Sequence, residues 1–426
     1  MEKRLYPQLG EEVYWDKLPS GLTVAVVPRP GFSRKLCYFA TDFGAIHTQF
    51  RYDGKDHTVP AGVAHYLEHK LFDMPGRDVT GEFVALGASP NAFTSYDMTA
   101  YHFSCTEHFE DCLRLLLEYV STPYFTKQSV EKEQGIIGQE IAMNEDAPDS
   151  RVFEQLMVSM YTEHPVRVPI LGSRQSISEI TPQVLELCHR AFYRPDNMLL
   201  CVVGDVDRSQ VCAIANEIIK PARSPKPEVL RSWHEEMTCP EKHTCSSMEV
   251  AMPMFHLGFK CEPLGRAEDA ARGEIIGDLA AEALFGESSP LYLRLYAQGL
   301  IDSSFGGGLE TIEGMTMLTA SGDSEDPEAV AEAILQEAQA LLERGITDEE
   351  LLRMKRSAMG RRIRGLDSFD SVCFRICAYW FSGFDYFQFP AIYREVTKQQ
   401  VLEFVRRAVT PERMSLSVIE PIKEEV

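Results

Sequence analysis

Two stretches of this chain repeat one another. Residues 181–205, TPQVLELCHRAFYRPDNMLLCVVGD, and residues 397–421, TKQQVLEFVRRAVTPERMSLSVIEP, each begin as an amphipathic helix carrying Val-Leu-Glu. Each then passes through a Pro-containing turn into an apolar run of strand type. The shared order of Pro, Met and apolar run points to duplication, and hence to two related α+β lobes. Each lobe is expected to hold a mixed or antiparallel sheet backed by helices, because strands and helices do not alternate as parallel βαβ units would. A chain of 426 residues suits two domains of roughly 200 residues each. The Pro- and charge-rich stretch PARSPKPEVLRSWHEEMTCPEKHTC keeps neither helical nor strand periodicity. It divides the chain into an N-terminal lobe over 1–220, a linker over 221–246 and a C-terminal lobe over 247–426.

The formal net charge of −22 would repel nucleic-acid phosphates and anionic membrane surfaces, so neither is expected as a partner. The N-terminal stretch MEKRLYPQLGEEVYWDKL lacks a signal-peptide apolar core, and no apolar run approaches the roughly 20 residues of a membrane span. Eleven cysteines occur singly, without CxxC pairs, the pattern of reduced thiols. These features give a cytoplasmic expectation. His234, Cys239, His243 and Cys245 sit close enough in sequence to suggest a small zinc knot, but their spacing matches no usual finger, and they read as incidental. Cys373 and Cys377 read as core.

The stretch GVAHYLEHKLF at 62–72 carries the chemistry. On a helix, His65 and His69 lie within about 40° of each other, with Glu68 flanking them, while Val63, Leu67 and Leu71 fall on the opposite, packing face. Two imidazoles at i and i+4 can hold one Zn²⁺, and the intervening carboxylate can reach water beside the metal without binding it. Lys70 stands on the packing face, with no partner evident in the sequence. A catalytic zinc needs a third protein ligand, and the helical stretch SVEKEQGIIGQEIAMNEDAPD offers Glu131, Glu133, Glu140 and Glu145. Glu133 and Glu140 share a face but stand about 10 Å apart along the axis, so only one can bind the metal while the other orients its neighbours. Glu131 and Glu145 fit an ordinary acidic face.

GVAHYLEHKLF, GASPNAFTSYDMTAYHFS, EKEQGIIGQEIAMNEDAPD and YRPDNMLLCVVGDVD, in this order, resemble the pitrilysin/insulinase family of zinc peptidases over nearly the whole chain, at the length of its half-size bacterial members related to the mitochondrial processing peptidase. The resemblance implies His65, His69 and Glu140 as ligands of one Zn²⁺, Glu68 as general base and Glu133 as the supporting acid of the same helix. It also implies an exposed edge strand in which Asn91 and Ala92 bind an extended peptide by backbone hydrogen bonds. The expected function is zinc-dependent hydrolysis of short or extended peptides.

The resemblance also implies an Arg and a Tyr seven residues apart in the second lobe, where SSPLYLRLYAQGLIDSSFGGG departs from the pattern: Arg294 is followed at that distance by Ile301, and Tyr296 by Ser303. The matching second-lobe helix, ARGEIIGDLAAEALFGESS, has no histidine. The expectation is therefore a zinc-bearing subunit whose paralogous partner supplies the Arg/Tyr pair, with a homodimer as the second architecture. Gly306–Gly308 reads either as a close backbone approach or as a flexible turn. Two other functions fit parts of the pattern. A catalytically silent scaffold of the same fold ordinarily loses a ligand or the base, all of which are present here. S-ribosylhomocysteine lyase also carries H-x-x-E-H on a helix, but it would leave the second lobe without a purpose.

Overall fold

The computed structural model describes residues 1–422. It contains a seven-stranded and a five-stranded sheet. In the first, the strands run Glu2–Tyr6, Glu11–Lys17, Thr23–Pro28, Met198–Gly204, Lys35–Thr41, Thr99–Cys105, Ser89–Thr94. In the second, they run His243–Met248, Met414–Pro421, Met254–Cys261, Met315–Asp323, Gly306–Ile312.

The duplication is visible in the pairing. Met198–Gly204 runs parallel to Thr23–Pro28 and antiparallel to Lys35–Thr41. Met414–Pro421 likewise runs parallel to His243–Met248 and antiparallel to Met254–Cys261. Beyond that, each sheet ends in an antiparallel hairpin whose outer strand forms the edge, Ser89–Thr94 in one and Gly306–Ile312 in the other. The two repeated sequence units are thus the strand at the same central position of each sheet together with the helix before it, Pro182–Phe192 or Lys398–Ala408.

Every residue of Met198–Gly204 is buried, which accounts for its continuous apolar run, since a strand covered on both faces need not alternate. Val24, Val26, Cys37 and Phe39 face one core, which also takes in Val63, Leu67 and Leu71 of the helix Val63–Leu71. Ala25, Val27, Tyr38, Cys201 and Val203 face a second core with Val372, Cys373, Ile376 and Cys377. These last four belong to the helix Phe369–Ser382, so a helix from the C-terminal half covers the N-terminal sheet. The converse also holds: the helix Pro148–Met160 packs on Met254–Cys261 and Met414–Pro421. There Ser159 Oγ lies 2.7 Å from Ser415 Oγ, and a Cβ on Gly258 would sit 2.5 Å from Met160 Sδ. The two halves of the chain exchange helices.

Several expectations need correcting in detail. The second sheet opens at His243, inside the stretch read as linker, and Glu228–Val229 of that stretch pairs with Gln49–Tyr52. The stretch from Pro327 forms three helices, Pro327–Arg344, Asp348–Arg364 and Phe369–Ser382, the first closed by Gly345 at φ 72°. Gly306–Gly308 is not a flexible turn but the start of the second edge strand, and the close approach falls at Gly307, where a Cβ would come within 2.3 Å of the Phe285 ring. The absent side chain lets that strand lie against the helix Ala267–Phe285. Among the described residues, no helix is long and apolar enough to cross a membrane.

Candidate metal centre and peptide-binding edge

HYLEH lies on the helix Val63–Leu71, entered through Gly62 at φ 88°. A Cβ at Gly62 would stand 2.4 Å from the Leu171 carbonyl oxygen, so both the left-handed backbone and the close approach require glycine. Val63, Leu67 and Leu71 are buried in the core as their spacing predicts. The opposite face carries His65, Glu68 and His69. Glu140 comes from the helix Lys127–Glu145, whose N-terminus is fixed by a capping box between Thr126 and Ser129.

The structure brings these groups together. His65 Nε2 is 3.5 Å from Glu140 Oε1, and His69 Nε2 is 3.5 Å from Glu140 Oε2. Ligand atoms of the three residues lie within 4.8 Å of one another, and they are the one such group of three or more His, Cys, Asp or Glu among the described residues. The zinc knot considered around His234 to Cys245 is not assembled: Cys239 is buried, with its thiol on the Arg413 carbonyl at 3.0 Å, and His243 pairs with Glu328 at 3.2 Å.

Geometry also separates the two glutamates that periodicity left open. Glu140 faces both Nε2 atoms, whereas Glu133 Oε1 lies 3.1 Å from His69 Nδ1 on the far side of that ring. The imidazole beside it draws the Glu140 carboxyl below its ordinary range, against the opposing effect of partial burial. Burial pushes the Glu68 carboxyl up, with the Thr94 hydroxyl and the two imidazoles pulling the other way. Thr94 Oγ1 donates to Glu68 Oε2 at 2.6 Å, and Thr94 belongs to the edge strand Ser89–Thr94. Thr94 is a site residue that sequence reasoning did not single out. The only signal for it was its place in the GASPNAFTS stretch.

Ser89–Thr94 pairs on one side with Thr99–Cys105 and is the last strand of its sheet. Asn91 sits opposite His102 and Ala92 opposite Tyr101. The Ala92 N–H is met by the side-chain oxygen of Asn91 at 2.9 Å. A strand at the edge of its sheet is a template for an added strand.

In the second lobe, Glu274 and Asp278 stand four residues apart on Ala267–Phe285, the spacing of His65 and His69. Arg362 Nη2 reaches Glu274 at 2.7 Å and Asp278 at 2.6 Å. Arg362 lies on Asp348–Arg364, the helix corresponding to that of Glu140. A guanidinium fixed to the chain pairs with both carboxylates there. Arg294 is held by buried Glu337 at 3.2 Å, Tyr296 stacks on Tyr292 with centroids 5.7 Å apart, and Ile301 is buried.

Comparison with known proteins agrees with this architecture. Residues 47–174 match the family described as Insulinase (Peptidase family M16), and residues 179–358 match the Peptidase M16 inactive domain. The chain is 36% identical over 423 residues to the uncharacterised zinc protease YmfH of Bacillus subtilis, covering 98% of each protein. An M16-like peptidase of Alicyclobacillus acidocaldarius superposes with a TM-score of 0.93 at 31% identity, over 96% of this chain and 98% of that one. A Helicobacter pylori protease shares the fold at a TM-score of 0.81 and 18% identity, over 96% of this chain and all of that one. With its two lobes, one bearing the clustered histidines and the other a pair of carboxylates bridged by Arg362, this chain belongs to the M16 insulinase family of peptidases.

Proposed function

We propose that this chain is a zinc-dependent endopeptidase acting on short or extended peptides. One observation carries the reading: His65, His69 and Glu140 converge beside a buried carboxylate, Glu68, that is hydrogen-bonded to an open sheet edge. Two imidazole nitrogens and one carboxylate make the His₂Glu donor set of catalytic zinc sites, so the residues fit the metal. Relatives described as zinc proteases support the same ion. Zinc held there would supply a Lewis acid that polarises a peptide carbonyl and acidifies water.

The chain's own residues do the rest. A peptide adding to Ser89–Thr94 offers a carbonyl to the Ala92 N–H in place of the Asn91 side chain. Thr94, on that same strand, holds Glu68, so the base and the peptide are placed by one element. The Glu68 carboxylate takes a proton from water and delivers it to the leaving amine, a role for which a raised proton affinity is suited. Glu133 fixes the His69 ring by accepting from Nδ1, leaving Nε2 toward Glu140.

We further infer a heterodimer in which a paralogous subunit supplies the Arg/Tyr pair. Arg294 and Tyr296 are engaged within the second lobe, and a second copy of this chain would lack the pair equally, which disfavours the homodimer. Retention of all three ligands and the base disfavours a silent scaffold. A cytoplasmic location is supported by cysteine usage, since nine of the eleven thiols are buried.

The test is metal content. The purified chain is expected to hold one zinc, and His65→Ala is expected to hold none after dialysis. A zinc-replete His65→Ala protein would overturn the ligand assignment.

A further inference from the structure

Lys70 is completely buried, and a buried ammonium is tolerated only with partners. Its partners come from two directions. Within its own segment, Nζ pairs with Asp73. From the helix Lys127–Glu145 it meets the Ser129 carbonyl at 3.3 Å and Glu133 Oε2 at 3.9 Å. Ser129 and Glu133 are one turn apart, and Glu140 lies two turns further along the same face.

The two oxygens of Glu133 are therefore divided. Oε1 holds the His69 ring at Nδ1, and Oε2 faces the Lys70 ammonium. Resting on the assignment of His69 as a metal ligand, we propose that Lys70 is a positioning residue of the metal centre. Its ammonium anchors Glu133, Glu133 sets the His69 imidazole, and the same contact clamps the helix that presents Glu140. A compact cation can donate to Asp73 and the Ser129 carbonyl while attracting the Glu133 carboxylate as an ion pair across 3.9 Å. An apolar side chain of the same length would fill the space but leave Glu133 with the imidazole alone and free to turn.

The alternative is that Lys70 only ties two helices together, in which case its loss lowers stability and leaves the metal centre unchanged. The experiment uses the full chain, measuring zinc affinity by competition with a chromophoric chelator, the visible spectrum of the cobalt-substituted protein, and the melting temperature. The proteins are the wild type, Lys70→Met, Glu133→Gln and the double variant. Lys70→Met is expected to weaken zinc binding by about 10- to 100-fold and to change the cobalt spectrum. The double variant is expected to bind no more weakly than the weaker single one, because both changes cut the same chain of contacts.

Lys70→Gln keeps a donor toward Glu133 in a neutral side chain and serves if the methionine variant does not fold. It is expected to bind zinc between the wild type and the ten-fold loss. Wild-type zinc affinity and cobalt spectrum in either folded Lys70 variant, whatever its melting temperature, would overturn the proposal while leaving the zinc peptidase reading intact. Additive losses in the double variant would overturn it also. A wild-type chain that binds no zinc would remove both the proposal and the reading on which it rests.

Discussion

At the scale of single residues, the site depends on carboxylates whose burial is balanced differently. Glu68 is held by Thr94, Glu133 by His69 and Lys70, and Glu140 by the two facing imidazoles. Away from the site, Asp97 shows what an imperfect balance costs. It sits in the turn between Ser89–Thr94 and Thr99–Cys105, and its Oδ1 accepts from the Glu313 N–H at 3.2 Å. Burial raises its carboxyl from the ordinary 3.8 to about 6, only partly countered by that amide and by His47. A carboxyl with a raised folded-state pKa destabilises the native chain above its unfolded value, and the penalty is complete once the pH exceeds about 6. Asp97→Asn keeps the acceptor and removes the charge. It is expected to stabilise the protein at pH 8 by about 1–3 kcal/mol, with the gain fading toward pH 4, as thermal melts across that range would show. A pH-independent difference would contradict this account.

These residue-level roles were unevenly legible in the sequence. His65, Glu68 and His69 could be read from helical spacing alone, because one short helix fixes their relation. Glu133 and Glu140 share a helix face, so periodicity could not divide their roles. The family resemblance proposes a division, and in the structure the two Nε2 atoms face Glu140 while His69 Nδ1 faces Glu133. Lys70 could not be read at all, since its partners Ser129 and Glu133 are far away in sequence and are brought to it by the packing of two helices.

At the scale of elements, amphipathic patterns say that a helix buries a face but not what covers it. The repeated helix–turn–strand units were legible because both the local pattern and its order recur. The exchange of Pro148–Met160 and Phe369–Ser382 between the two sheets was not, since each helix has the same apolar stripe whichever sheet it meets. Gly258 marks one of these contacts: its missing side chain admits Met160 and Leu156 onto the second sheet. Gly258→Val is expected to cost about 1–3 kcal/mol by overpacking that seam, read as a lowered denaturation midpoint with an unchanged slope. A neutral Gly258→Val would mean that the helix is not seated there. The second edge strand, begun by Gly306–Gly308, was missed for a related reason. Glycine is a poor strand former in the open, and here the Phe285 ring packed against Gly307 makes its lack of a side chain useful.

At the scale of the whole molecule, the duplicated halves are interlocked. The exchanged helices are joined by a second contact, where the turns of the two edge hairpins meet through Asp97 and Glu313. Glu313 is further held by Arg231 at 2.7 Å and, through its carbonyl, by His164 at 2.9 Å. Neither sheet can lose its partner without exposing an apolar face. The chain is therefore expected to unfold in one cooperative transition despite its two-lobed ancestry, with calorimetric and van't Hoff enthalpies in agreement. Two resolved transitions would show that the lobes are independent.

The central claim is that the His65, His69, Glu140 and Glu68 constellation hydrolyses peptides. Its most direct test is hydrolysis of a mixed quenched-fluorescent peptide library by the zinc-loaded chain, alone and with candidate paralogous subunits, each with chelator and Glu68→Gln as controls. Cleavage is expected to disappear with chelator, to fall by orders of magnitude in Glu68→Gln although that variant keeps its zinc, and to become faster once the Arg/Tyr pair is supplied in trans. Cleavage that survives in zinc-bound Glu68→Gln, or that is indifferent to chelator, would contradict it.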